Sequence, residues 1–252
     1  MNKCCIVFVC NKAYFNKFTY TCTQLLTNGK YTGDICLVIG DDLRNDALLD
    51  CNLIKNNNIT IQYFPDIQFS QQWLESNNQI NTDGRNISKR FQWHKLHLFN
   101  TVFKKWRYMF YIDCGMSIYS DVTPMLQECT ENTLLAHSDA YPTYEWKLHT
   151  QFDTTKEQFA ELNSKYNLNI DYFQTGIMLY DTNIIEDTTF AELLALACEY
   201  PISKTNEQGI TALYFTNSKP YFKQIRTNNE YTYFYDSMRR RGCHNYIMVK
   251  WG

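Results

Sequence analysis

Continuous apolar runs separated by helix-spaced segments fill the first half of the chain, an order that no all-helical or all-β layout accommodates. Cys4–Cys10 and Asp34–Ile39 are short runs with almost no polar break, and residues 59–64 form a third, ended by Pro65. Strands that read apolar at every position suit a parallel sheet covered on both faces. Between them, residues 14–26 carry helical spacing and stop at Asn28-Gly29, and a helical stretch follows near residues 46–55. Strand, helix, strand, helix, strand requires crossover connections, and crossovers make neighbouring strands parallel.

The pattern continues along the chain. Residues 88–104 read as an amphipathic helix with Phe91, Leu98, Phe99, Val102 and Phe103 on its apolar face. Lys95 falls on that same face, either as a stem that carries its charge out to water or as a cation held for an anionic ligand. A fourth strand at residues 107–112 ends in Asp113-Cys114-Gly115, with a short continuation at 117–119. Ligands of open α/β sheets bind beyond the carboxyl ends of the strands. Asp113 stands at such an end, as a turn former before Gly115 or as a ligand for a metal or hydroxyl. A fifth strand at 133–136, a helix at 156–166 and an apolar run at 172–180 follow. Gly176 inside that run signals a bulge or a close backbone approach. Helices are expected at 190–200 and at 206–215, the second with Asn206 as its N-cap, and residues 246–251 form a last apolar segment.

Composition narrows the function. The 252 residues hold 24 Lys plus Arg against 26 Asp plus Glu, a net charge of −2, so no basic stripe for nucleic acid exists. Only 5 Pro and 9 Gly are present and no linker divides the chain, which suits a single domain. No apolar stretch reaches the ~20 residues of a membrane-spanning helix, and the apolar run near the start has no small-residue cleavage site. Ten cysteines invite a disulfide framework, but no C-x-x-C occurs, and Cys4, Cys5, Cys10, Cys36 and Cys198 lie inside apolar runs. Reduced cysteine behaves there as a small hydrophobe. A reducing, cytoplasmic compartment is expected, in which the sequons at Asn58 and Asn86 carry no meaning.

A set of ordered motifs adds a resemblance. The segment from Lys89 through Trp93-His94-Lys95-Leu96 to Phe99, then Tyr111-Ile112-Asp113-Cys114-Gly115, is similar to glycosyltransferases of the GT-A fold that use nucleotide sugars, above all the glycogenin and galactosyltransferase-like group, family 8. That group has a K-L-x-L helix before a strand ending in Asp-x-Asp. Phe173-Gln174-Thr175-Gly176-Ile177-Met178 resembles its F-N-S-G-V-M strand, and Glu207-Gln208-Gly209-Ile210 its D-Q-G-L. His244 and Lys250 keep the spacing of its H-x-x-G-x-x-K. The chain departs from the pattern at Gly115, where the second Asp of Asp-x-Asp is missing, at Glu207 in place of Asp, and at Ile247 in place of Gly.

The resemblance implies an α/β fold: a single GT-A, Rossmann-like domain with a mixed, mainly parallel sheet flanked by helices. Residues 1–115 would be the nucleotide-binding half and 116–252 the acceptor-binding half. It implies transfer of a sugar from a nucleoside diphosphate, UDP in the first instance, to a hydroxyl of a glycan, protein or lipid, with retention and without a protein nucleophile. Cys10, Asn11 and Tyr14 would hold base and ribose, Tyr14 by stacking on uracil. Arg85 and Lys95 would touch donor sugar or phosphate. Asp113, with Cys114 and Gly115, would meet the diphosphate, and Asp113 and His244 would hold Mn²⁺ or Mg²⁺, since a hard cation takes carboxylate and phosphate oxygens. Lys250 would neutralise the leaving diphosphate. Gln174, Glu207 and Gln208 would face the transferred sugar and acceptor as the catalytic set.

Plainer readings stand beside these. Tyr14 can be core, Arg85 and His244 solvated surface groups, and Glu207 a first-turn acid favoured by the helix dipole. Two other functions remain open. The missing carboxylate suits a binding module that kept the fold and lost the chemistry. A nucleotidyltransferase shares the layout but needs a Gly-rich loop after the first strand, which Cys10–Phe15 lacks.

Overall fold

The computed structural model describes residues 4–78, 89–141, 143–225, 232–235 and 246–250. The strands are β1 (Cys4–Cys10), β2 (Asp34–Ile39), β3 (Thr60–Tyr63), β4 (Tyr108–Ile112), β5 (Met116–Ile118), β6 (Leu134–Ser138), β7 (Phe173–Asp181), β8 (Phe222–Gln224), β9 (Thr232–Tyr235) and β10 (Tyr246–Lys250). The α-helices are α1 (Phe15–Thr27), α2 (Asn52–Asn56), α3 (Gln71–Asn78), α4 (Thr123–Leu126), α5 (Glu157–Lys165), α6 (Thr189–Glu199) and α7 (Glu207–Leu213).

A seven-stranded sheet runs β3-β2-β1-β4-β7-β6-β8, and a small sheet runs β5-β10-β9. β3, β2, β1 and β4 are mutually parallel, while β7 lies antiparallel between β4 and β6. Strand order grows outward from β1 to β3, then restarts on the other side of β1 with β4. A crevice opens at such a reversal, beyond the carboxyl ends of β1 and β4.

The continuous apolar strands have a direct cause. Cys5, Val7 and Val9 of β1 with Met109 and Tyr111 of β4 face one core, shared with α6 and α7. Ile6, Phe8 and Cys10 with Phe110 and Ile112 face a second core, under α1. Each fully buried Phe or Ile contributes about 1.5–3 kcal/mol relative to exposure, so burial on both faces keeps β1 and β4 apolar along their length.

Several expected elements are redrawn. Residues 88–104 do not form an α-helix: Lys89–Phe99 and Thr101–Lys105 are 3-10 helices. At three residues per turn, positions i and i+3 stack directly. Phe91, His94 and His97 form one row, with ring centroids 4.7 and 4.6 Å apart. Trp93, Leu96 and Phe99 form a buried second row, and Gln92 and Lys95 lie on the third. Val102, expected inward, is exposed. The helical stretch near 46–55 breaks into a 3-10 turn, Ala47–Asp50, and α2. The expected continuation of β4 is instead β5, paired with β10 in the small sheet. Cys198 lies on the outer side of α6 and is exposed. Gly176 lies where the β6–β7 register shifts, as its position in an apolar run suggested. Among the described residues no helix is long and apolar enough to cross a membrane.

Candidate active site

Asp113 leaves the end of β4 with its amide bonded to the Gly176 carbonyl of β7 at 2.9 Å. Lys95 reaches it from the third row of the 3-10 helix. The Lys95 Nζ lies 2.9 Å from Asp113 Oδ1 and 2.9 Å from Glu207 Oε1. The Tyr111 hydroxyl donates to the same Asp113 oxygen. Thr175 Oγ1 donates to Glu207 Oε1 at 2.9 Å. Glu207 Oε2 is buried and has no hydrogen-bond partner among the described residues. Burial alone would push the Lys95 pKa down, but the Asp113 and Glu207 carboxylates more than reverse this and hold it above the ordinary lysine value. Tyr111 is pushed up by burial and by Asp113 and stays a neutral donor. The snorkelling alternative for Lys95 is therefore excluded, because its ammonium ends in a buried double ion pair.

Two amides extend the network. Thr175 N donates to Gln208 Oε1 at 3.3 Å, and Gln208 Nε2 donates to Gln151 Oε1 at 2.9 Å. Gln174 Nε2 donates to Asp139 Oδ1 at 2.6 Å, and the Tyr172 hydroxyl donates to Asp139 Oδ2 at 2.9 Å. Past Asp139 the chain carries the exposed rings of Tyr141 and Trp146. Asn206 does not cap α7 with its side chain. Its φ of 54° sets a sharp entry, and its Nδ2 donates to Gln92, tying α7 to the 3-10 helix. Gly209 is needed at this junction, since a β-carbon there would stand 2.5 Å from Ser203 Oγ.

The other wall is the end of β1. Asn11 Oδ1 accepts from Tyr14 N at 3.1 Å and caps the 3-10 turn Lys12–Tyr14. Tyr14 is half-buried against the α1-side core, with the Lys17 ammonium 4.7 Å from its ring centroid. The Cys114 thiol lies 3.4 Å from the Val9 carbonyl and meets the Cys10 thiol; that hydrogen bond and burial push its pKa well up. Gly115 has φ +94°, a conformation that L side chains rarely adopt.

The structure thus brings Lys95, Asp113, Glu207, Gln174 and Gln208 together, with Cys10, Cys114 and Gly115 beside them and Asn11 and Tyr14 next along the chain. Arg85 and His244 lie outside the described residues. The Lys250 backbone pairs with Met116, one residue from Gly115. Sequence reasoning passed over Tyr111, Thr175 and Tyr172, which read as core inside apolar segments, and Asp139 and Gln151, which lie in polar connecting segments. Among the described residues no three His, Cys, Asp or Glu side chains could hold a metal ion. Asp113 Oδ1 is taken by Lys95 and Tyr111, and position 115 supplies no ligand. His244, the other implied ligand, lies outside the described residues, so the described donors alone do not make up the divalent-cation site that the resemblance implies.

No family model matches the chain, and no curated protein matches it in sequence. Solved structures do match. The galactosyltransferase LgtC, solved with donor and acceptor sugar analogues, aligns over 98% of this chain and 86% of its own, with TM-score 0.60 and 13% identity. The bifunctional glycosyltransferase WbbM aligns over 99% of this chain and 45% of its own, at TM-score 0.60 and 14% identity. Core-mannan synthase A from Aspergillus fumigatus, in a Mn/GDP form, covers 89% and 73% at TM-score 0.50 and 9% identity. The architecture is the GT-A fold of these glycosyltransferases.

Proposed function

We propose that this chain is a glycosyltransferase that moves a sugar from a nucleoside diphosphate, UDP in the first instance, to a hydroxyl acceptor with retention of configuration. The observation that carries the reading is the buried Lys95–Asp113–Glu207 constellation at the β1/β4 crevice, between the Cys10–Asn11–Tyr14 loop and the Gln174/Gln208 amides. In this reading residues 1–115 hold the nucleotide and residues 116–252 the acceptor. Transfer breaks the anomeric C–O bond, and negative charge grows on the departing diphosphate while positive charge grows on the sugar. Preorganised charges and dipoles stabilise such a transition state without reorganising. Glu207 Oε2 offers an unsatisfied buried acceptor for a donor-sugar hydroxyl, and a buried acceptor left unpaired is costly. Lys95 fixes both carboxylates, and Gln208, held between Thr175 N and Gln151, lies beside them for the acceptor hydroxyl in this reading. The nine described cysteines are free, which supports placing the protein in a reducing, cytoplasmic compartment.

The missing carboxylate at Gly115 favours a second reading, a nucleotide-binding module without transfer. One assay separates the two: release of nucleoside diphosphate from a panel of nucleotide sugars, with and without Mn²⁺ and with saccharide acceptors. Turnover of one donor supports the enzyme. Binding of a nucleoside diphosphate without turnover of any donor supports the module.

A further inference from the structure

We propose that Lys17 of α1, rather than a divalent ion, supplies the positive charge that meets the donor diphosphate. This rests on the reading of the site as a nucleotide-sugar site. Residues 17, 21 and 24 of α1 and Asn28 just past its end share one stripe, and that stripe is fastened to the chain following Asp113. Thr21 Oγ1 accepts from Gly115 N at 2.9 Å and donates to the Met116 carbonyl at 2.9 Å. Gln24 Oε1 accepts from Ile118 N at 2.7 Å, and Asn28 Nδ2 donates to the Ile118 carbonyl at 2.8 Å. Lys17 is the first member, one turn before Thr21, and so falls over Gly115. A β-carbon at position 115 would stand 3.4 Å from Lys17 Cδ. The lysine stem therefore occupies the space beside the place where the motif's second carboxylate would project.

Charge balance points the same way. Among the described residues Asp113, Glu207 and Lys95 sum to a charge of −1, which by itself repels an incoming diphosphate. Lys12, another cation among the described residues at this end of β1, is bound to Asp46 at 2.8 Å. Lys17 is exposed, makes no salt bridge among the described residues, and rests its ammonium over the Tyr14 ring. Its flexible stem lets it leave that ring for a phosphate, which frees Tyr14 to stack on a base.

The test is binding of UDP and of uridine in EDTA to wild type, Lys17→Met and Lys17→Arg, read by ligand-observed NMR and calorimetry. Lys17 is exposed, so the variants fold. The expected result is that wild type binds UDP in EDTA, that Lys17→Met weakens UDP about tenfold, in line with loss of a charged hydrogen bond, and that uridine affinity is unchanged. Lys17→Arg keeps the UDP affinity. UDP binding that requires Mn²⁺ and ignores Lys17→Met overturns the role of Lys17 and leaves the nucleotide-sugar reading standing. Equal weakening of UDP and uridine also overturns it, because the phosphates are then not what Lys17 meets. No UDP binding under any condition overturns both.

Discussion

At the scale of single residues, Lys95 is the side chain on which the site depends. Removing one member of a buried ion pair leaves an uncompensated charge and costs about 3–5 kcal/mol, more than the pair itself contributes. Lys95→Met strands two carboxylates, Asp113 and Glu207, within a few ångströms of each other. Urea unfolding at pH 7 is expected to show a loss in that range for Lys95→Met. The loss shrinks toward pH 4, because the stranded carboxylates take up protons there. A loss under 1 kcal/mol, or one independent of pH, would show that the two carboxylates are not held by Lys95. For activity, Asp113→Asn keeps the Tyr111 contact but weakens the Lys95 pair, and turnover should fall about a hundredfold, as when a preorganised charge is removed. Unchanged turnover would exclude Asp113 from the chemistry. Lys95 and Asp113 were visible in the sequence, as a charge on an apolar face and a charge at a strand end, while Glu207 stood out only through the D-Q-G-L-like motif. Tyr111 and Thr175, which orient them, were not, since a Tyr or Thr in a buried strand reads the same whether or not its hydroxyl serves a site.

At the scale of elements, the strands were plain because burial on both faces leaves an unbroken apolar run. The segment Lys89–Phe99 was misread because the wrong period was assumed. Its aromatic residues recur every third position, which stacks them in a 3-10 helix and scatters them around an α-helix. The polar stripe of α1 was not legible for a related reason: helical spacing marks an element as a helix and does not show which backbone groups its polar side chains bond. The 3-10 packing also predicts a pH response. His97 is sandwiched between Phe64 and Phe190, at centroid distances of 4.5 and 4.6 Å. Burial, with a smaller push from His94, lowers its pKa to about 3. An unfolded histidine titrates near 6.5. Below that value the unfolded chain binds a proton that the folded chain refuses, so stability is full at neutral pH and falls as pH drops toward 3. The slope amounts to about 2 kcal/mol lost between pH 6.5 and 5. Urea titrations at pH 7 and pH 5 should show it, and His97→Leu should flatten the dependence. An unaltered dependence in His97→Leu would assign the effect to other groups, His94 first, whose pKa burial also lowers.

At the scale of the whole molecule, one sheet serves two cores, and the question is whether they unfold apart. Strand β1 sends alternate residues to opposite sides, Cys5 into the core under α6 and α7 and Cys10 into the core under α1. Cys36 of β2 joins Cys5, and Cys22 of α1 joins Cys10. All four are fully buried, and burial raises the thiols of Cys22 and Cys36 to about 12. A thiol reagent therefore reaches them only when the structure around them opens. Removing either layer exposes one whole face of the same apolar strands, which couples the two layers into one cooperative unit. Labelling in low urea, followed residue by residue by mass spectrometry, should modify exposed Cys198 first. Cys5, Cys10, Cys22 and Cys36 should follow together, within about threefold of one another and with the urea dependence of global unfolding. Early labelling of Cys10 and Cys22, with a shallower urea dependence, would show that α1 and its core open separately. The nucleotide wall of the crevice would then be a local unit. In the coupled case donor binding stabilises all four sites equally, so saturating UDP should slow the four labelling rates by one common factor.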